Sequence, residues 1–342
     1  MRVLARAAVA FAGLMAGFVT GVGAAGAQGL EQSHISVGAG GSPFYYLPLL
    51  IGDQLGYFKA EGLTLSIADF GGGAKALEAL VGGSADIVPG AYEHTIRMQA
   101  KGQDIRAVIE LGRLPGIALA IGKARAASYK SLEDLKGMKI GVTAPGSSTH
   151  FLVMYMLSKA GIDPASASYI AVGASSSAVA SIKSGAIDAI SNLDPVLTRL
   201  QLDGDVKIIA DTRTVEGTRA IFGGTNPACV LLITQRYIER NPKTVQALVN
   251  GFYKTLQWMD KASAEEIVAK VPEKFLIGDR AFTTAALTNN KQVYSATGVV
   301  PVEGMKSVYD MLAAFDAEMK NGKIDLAKTF DGSFVRRASG GN

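Results

Sequence analysis

Short apolar runs alternate along the chain with segments whose apolar residues recur at three- and four-residue spacing, the pattern of strands joined by crossover helices. The first stretch predicts a strand over Ile35–Gly38, a helix over Pro43–Leu55, a strand over Leu63–Ile67, a helix over Ala74–Val81 and a strand over Ala85–Val88. A second repeats that order: strand Lys139–Val142, helix Ser147–Ala160, strand Ser168–Ala171, helix Ser176–Lys183, strand Ala186–Ile190. Laying Gly71 on Gly173 also lays Ala76 on Ala178, Leu77 on Val179, Leu80 on Ile182, Gly83 on Gly185, Asp86 on Asp188 and Val88 on Ile190, with no gap. Glycines that end helices and apolar residues that open strands would coincide in any two such units. A matching aspartate after each glycine would not, so two similar α/β lobes are expected.

Between the copies, Ile105–Leu111 and Ile117–Ile121 read as strands, and Ser131–Gly137 as a capped helical turn. After the second copy come a helix over Pro195–Leu202, a strand over Val206–Ala210, a polar segment Asp211–Pro227 and an apolar strand Ala228–Thr234. Helices follow over Pro242–Met259, Ala264–Lys270, Arg280–Ser295 and Glu303–Lys320, each with a face to bury. The tail Arg336–Asn342 is expected to fray. Two passages between lobes, near Gly116–Arg125 and Arg219–Pro227, would make a two-strand hinge. The expected division is a signal over 1–27, lobe 1 from 28–120 plus 224–342, and lobe 2 from 121–223.

The chain has 342 residues, 48% hydrophobic, with 40 glycines, which excludes a disordered or coiled-coil protein. A basic stretch Met1–Arg6, an uncharged run Ala7–Gly26 and the small residues Ala25-Gly26-Ala27 before Gln28 read as a cleaved secretory signal. The run is about long enough to span a membrane, but Gly13, Gly17, Gly21 and Gly23 weaken it as a stable helix. Removing Arg2 and Arg6 from the 34 basic residues leaves them nearly balanced by 30 acidic ones, so nucleic acid is not an expected partner. Gly21–Gly26 matches G-x-G-x-x-G, yet it lies inside the signal with no strand before it. The only cysteine, Cys229, excludes an intrachain disulfide, and none follows the signal to take a lipid anchor. A freely soluble, monomeric periplasmic protein is expected.

In open parallel sheets, ligands lie beyond the carboxyl ends of the strands, where loops feed helix N-termini. Free N–H groups with hydroxyls beside them can hold an anion there. Ser42, Phe44, Gly72, Tyr92 and His94 in the first copy, and Ser147, Ser148, Thr149, Asn192 and Asp194 in the second, are the expected solute contacts. Ser42, Ser147 and Asp194 also read as plain N-caps. Of Tyr45 and Tyr46, helical geometry sends one to the core. Glu93, if it lined the cleft, would favour a cationic or amine-bearing solute over a simple anion. Arg113 and Arg219 are possible counter-charges near the crossings.

His34, His94 and His150 share no metal-ligand spacing, and neither G-x-S-x-G nor G-x-x-x-x-G-K-[ST] occurs. No metal or cofactor is expected. A Ser147/His150/Asp188 grouping is conceivable, but nothing in its spacing selects it.

Leu47-Pro48-Leu49, Gly56-Tyr57-Phe58-Lys59-Ala60-Glu61-Gly62-Leu63, the Ala76-Leu77, Gly83, Asp86 pattern and Leu132–Val142 together resemble the sulfonate/nitrate/taurine branch of ABC-transporter solute-binding proteins, which includes binders of pyrimidine precursors of thiamine. The resemblance implies a type II periplasmic-binding-protein-like fold whose lobes close over one solute and deliver it to a membrane permease and its ATPase, with no chemistry performed. The related fungal pyrimidine-synthesis enzymes use a cysteine-rich segment that a chain with Cys229 alone does not carry. The solute could be a sulfonate, carboxylate, nitrate or pyrimidine-like molecule. An extracytoplasmic enzyme or a ligand-sensing protein using the same cleft is the alternative.

Overall fold

The computed structural model describes residues 29–40, 42–276 and 278–341; the expected signal lies outside them. No helix among the described residues is long and apolar enough to cross a membrane. The strands are β1 (His34–Ala39), β2 (Thr64–Asp69), β3 (Val88–Ala91), β4 (Ile105–Glu110), β5 (Ile117–Gly122), β6 (Lys139–Val142), β7 (Ser168–Ala171), β8 (Ala189–Leu193), β9 (Val206–Asp211) and β10 (Cys229–Thr234). One sheet runs β7-β6-β8-β5-β9. The other is assembled from the parallel pair β2-β1 and the trio β3-β10-β4, linked by a bridge between Val37 and Ile87. The two orders are the same, β1 to β4 standing for β6 to β9.

The fifth strand makes the fold two-lobed. β5 follows β4 in sequence but lies antiparallel between β8 and β9, and β10 follows β9 but lies antiparallel between β3 and β4. Each half lends the other its fifth strand, so the chain passes between sheets twice, at 111–116 and within 212–228. The first passage ends before Ile117, a few residues ahead of the boundary expected at residue 120, because Ile117–Ala120 pair with Leu193–Ile190 of the second sheet.

Hydrogen bonds account for the repeated aspartates. Asp86 Oδ2 accepts from the Ser36 amide at 2.8 Å while its own amide donates to Ser36 O; Asp188 Oδ2 accepts from the Lys139 amide at 2.9 Å while its amide donates to Lys139 O. Each ties the start of a central strand to its neighbour. Gly83 and Gly185 turn the chain into these positions at φ of +76° and +72°, a left-handed conformation that side chains resist.

Both copies also show one displacement from the sequence pattern. β3 and β8 begin three residues later than predicted and run on into Ala91 and Leu193. Gly90 and Asn192 are poor strand formers by propensity, but ladder pairing to Val230 and Ala118 overrides it. The polar segment after β9 holds an unpredicted helix, Val215–Phe222, capped by the Thr214 hydroxyl accepting from Gly217 N. The long helix expected over Arg280–Ser295 stops at Asn290, and that over Glu303–Lys320 breaks into Val302–Ala313 and Ala317–Asn321, where the Asp316 carboxylate starts a new cap. Nor does the tail fray from Arg336. Helix Ser333–Ala338 buries Phe334 and Val335, and Gln246 Nε2 donates to Phe334 O at 3.0 Å.

Apolar clusters cover both faces of each sheet. Helix Pro242–Lys261 closes the first lobe by bringing Phe252 edge-on to Phe58, centroids 4.9 Å apart. A Cβ on Gly251 would lie 2.5 Å from the Phe58 ring, so only glycine allows that approach.

Candidate functional site

The carboxyl ends of the two sheets meet, and with them the N-termini of helices Gly73–Val81 and Ser148–Lys159. Ser147 stands at the N-cap of the second helix, yet its hydroxyl accepts from the amide of Ala74, 3.0 Å away at the start of the first. One lobe therefore caps a helix of the other. Further contacts bridge the seam: Ser42 Oγ donates to Asp194 O, Asn290 Nδ2 donates to Asp194 Oδ2, Ser148 Oγ donates to Glu93 Oε1, and Gly72 approaches Ala144 so closely that a Cβ on it would lie 2.9 Å from the alanine methyl.

Two adjoining cavities of about 20 Å³ each lie in this seam. Tyr45, Ile117 and Ser148 line both. The first is otherwise bounded by Gly40, Gly73, Thr143, Ser147 and Thr149, and the second by Glu93, Leu152, Phe222, Asn226 and Met311. Each exceeds the roughly 10–15 Å³ that one water needs. A larger outer groove of about 720 Å³ opens beside them, sharing Thr143 and lined by Asp69, Lys75, Ser175–Ser177 and Lys274.

Polar groups at the cavities are left unpaired by the protein itself. The Tyr45 hydroxyl is buried without a partner, and so are both ring nitrogens of His94. His94 is 0% exposed, and its Nε2 lies 3.6 Å from where a side chain on Gly73 would begin. Burial, helped by the charge of Arg97, pushes the imidazole down to about 3, so it is neutral at ordinary pH. Glu93, 4% exposed, opens helix Glu93–Ala100; burial raises its carboxyl above the usual range, against the opposing hydrogen bond from Ser148. The Arg97 guanidinium lies over the Phe151 ring, 4.7 Å from its centroid, and lines neither cavity.

The expected contact residues divide. Ser147, Ser148 and Thr149 line the first cavity, Gly72 and Ser42 join the lobes beside it, and His94 reaches its edge. Thr149 Oγ1 also accepts from the Thr143 amide at 3.0 Å, fixing that loop. Four others have structural partners instead. Phe44 packs with Leu47, Ile51 and Met259 in an apolar cluster, and the Tyr92 hydroxyl meets Thr329 deep in the first lobe. Asn192 Nδ2 donates to Gly173 O at 2.9 Å. The Asp194 carboxylate caps Thr198 N at 2.7 Å and receives Arg213 at 3.0 Å and Asn290. Arg113 and Arg219 are exposed and face neither cavity.

Asp188, tied to Lys139 N and to Arg125, stands at the entry to the central strand, whereas Ser147 and His150 follow the far end of β6, so the Ser147/His150/Asp188 grouping does not form. His150 Nδ1 accepts from Gly146 N at 3.0 Å, and its ring packs on Tyr169. Among the described residues no cluster of His, Cys, Asp and Glu could hold a metal ion. Tyr45, Leu152, Phe222, Asn226 and Met311 were absent from the expected contacts. Only Tyr45 carried a sequence signal, as one of an adjacent aromatic pair of which one had to face away from the core.

Twin sheets exchanging their fifth strands around a closed seam define a periplasmic-binding-protein fold of type II. The chain belongs to the NMT1-like family, which it matches over residues 29–272. A solved structure of a Bordetella bronchiseptica RB50 protein is 46% identical and superposes with a TM-score of 0.87 over 92% of this chain and 99% of that one. The alkanesulfonate-binding protein SsuA of Xanthomonas axonopodis pv. citri, bound to MOPS, shares the fold at 19% identity, with a TM-score of 0.68 over 88% of this chain and 99% of that one. The nitrate/nitrite binding protein NrtA of Nostoc sp. is 25% identical over 66% of this chain and 53% of NrtA. The chain spans about half to two thirds of the length of such curated relatives.

Proposed function

We propose that this chain is the solute-capturing component of an ABC importer: an exported, monomeric protein, with residues 1–27 removed, that closes two lobes on one small solute and hands it unaltered to a membrane permease and its ATPase. The lobes divide as residues 28–116 with 224–342 and residues 117–223. The observation that carries this reading is the seam itself. The unpartnered Tyr45 hydroxyl lines both cavities and the unpartnered His94 ring lies beside Gly73 at the edge of the first, and both cavities draw their walls from both lobes. A solute touching both lobes at once favours the closed state by its differential affinity. Ser42, Gly72, His94, Ser147, Ser148 and Thr149 serve that closure or face the solute; Phe44, Tyr92, Asn192 and Asp194 support them from behind.

The experiment is a thermal-shift screen of the mature chain against a broad solute library, followed by small-angle scattering of each hit. A solute bound by the folded state raises Tm by mass action. Hits that also reduce the radius of gyration, and are recovered chemically unchanged, support the reading. Hits that are converted to product, or bind without compaction, sink it.

A further inference from the structure

We propose that the solute is a compact cation bearing N–H donors, an amine or amidine, which Glu93 anchors inside the seam. This deepens the function proposed above and rests on it. The inner cavities are bounded by a carboxyl, hydroxyls, the Asn226 carboxamide and apolar side chains, with no lysine or arginine among their lining residues. Lys75 and Lys274 stand in the outer groove, and Arg97, whose charge reaches Glu93 and His94, is held over Phe151. An oxyanion placed here would meet the Glu93 carboxylate at close range in a poorly solvated space, with no counter-charge lining it.

An N–H cation meets three acceptors beside these cavities, Glu93, His94 and Tyr45. Glu93 Oε1 already accepts from Ser148, which leaves Oε2 to receive a donor. His94, neutral and unpartnered, offers one ring acceptor near Gly73, and the Tyr45 oxygen offers another. Charge-assisted hydrogen bonds to a buried carboxylate are the strong kind, and a cation returns to Glu93 the stabilisation that burial removes. Leu152, Phe222 and Met311 line the same cavity as Glu93 and would take the apolar part of the molecule. The space suits only a few non-hydrogen atoms.

Isothermal titration of the mature chain with acetamidinium, its neutral isostere acetamide, nitrate, bicarbonate and methanesulfonate tests this. We expect acetamidinium to bind at least tenfold more tightly than acetamide and than any of the anions, and Glu93→Gln to remove at least tenfold of that affinity. The acetamide comparison uses the unmutated chain and stands even if the variant does not fold. Equal affinity for the amidinium and the amide, or unchanged affinity in Glu93→Gln, would overturn the proposal. An anion that binds and compacts the protein would overturn it too, while leaving the importer reading intact.

Discussion

Leaving β3, the first lobe delivers Tyr92, Glu93 and His94; leaving β8, the second delivers Asp194 and Pro195 at the same register. Up to that point the lobes agree to single hydrogen bonds, as Asp86 and Asp188 show. Beyond it they part. The first lobe turns a carboxyl and an imidazole toward the cavities, whereas the second ties its acid to Arg213 of its own lobe and to Asn290 across the seam, and presents hydroxyls from the Ser147 loop to the cavities. The duplicated part builds sheets, and divergence sits where strands become loops, since a loop can change its side chains without disturbing a ladder. The strand ends leading into the two passages differ in a related way. Asp211 closes β9 and is paired with Arg213, while Glu110 closes β4 buried beside Ser295 with no salt bridge among the described residues.

The largest expected effect separates the two loops. Asp194→Ala takes one of two carboxylates from the buried Arg213, which keeps Asp211, removes the bond from Asn290 and uncaps Thr198, and should cost about 3 kcal/mol in urea unfolding. Tyr92→Phe, at the matching position, loses one hydroxyl contact and should cost about 1 kcal/mol. Similar losses would show that the two loops play one role.

At the strand ends, pH is the probe. Burial raises the Glu110 carboxyl from 4.5 to about 7, against weaker effects of Ser295 and Arg113. The folded state therefore holds a proton that the unfolded state releases, so this group's stabilisation is full below about pH 4.5 and lost as pH rises through 7. Glu110→Gln should gain about 2–3 kcal/mol over the natural protein at pH 8 relative to pH 5. A variant whose stability difference is the same at both pH values would contradict that account.

Closure can be tested through Gly72, whose φ of −174° suits any residue. A methyl there meets Ala144 only when the lobes are shut. Gly72→Ala should cost about 1–3 kcal/mol of closure, a roughly 5- to 150-fold loss of solute affinity, with the unliganded Tm unchanged. A fall in Tm with affinity intact would place the contact inside the fold instead.

The smallest effect checks the duplication. Asp86→Asn and Asp188→Asn each weaken one carboxylate-to-amide bond, and both should cost about 1–2 kcal/mol. Each aspartate also holds one outer partner, Gln32 on Asp86 and Arg125 on Asp188, each worth at most about 1 kcal/mol, so the two losses should agree within that margin.

Spacing along the chain was enough to reveal the paired lobes, the double passage between them and the matching aspartates, because these show as repeated local patterns; what the aspartates tie together only the folded sheets disclosed. The same reading found Ser147, Ser148, Thr149 and His94 near the seam, since residues opening helices after strands must gather at one end of a parallel sheet. It could not find Leu152, Phe222 and Met311 beside Glu93, nor see that Phe44, Tyr92 and Asn192 are held by partners of their own lobe and Asp194 by Arg213 and Asn290. Those outcomes depend on which way a side chain points when two separately formed surfaces meet. That choice is made by packing between residues far apart in the chain, and no local pattern encodes it.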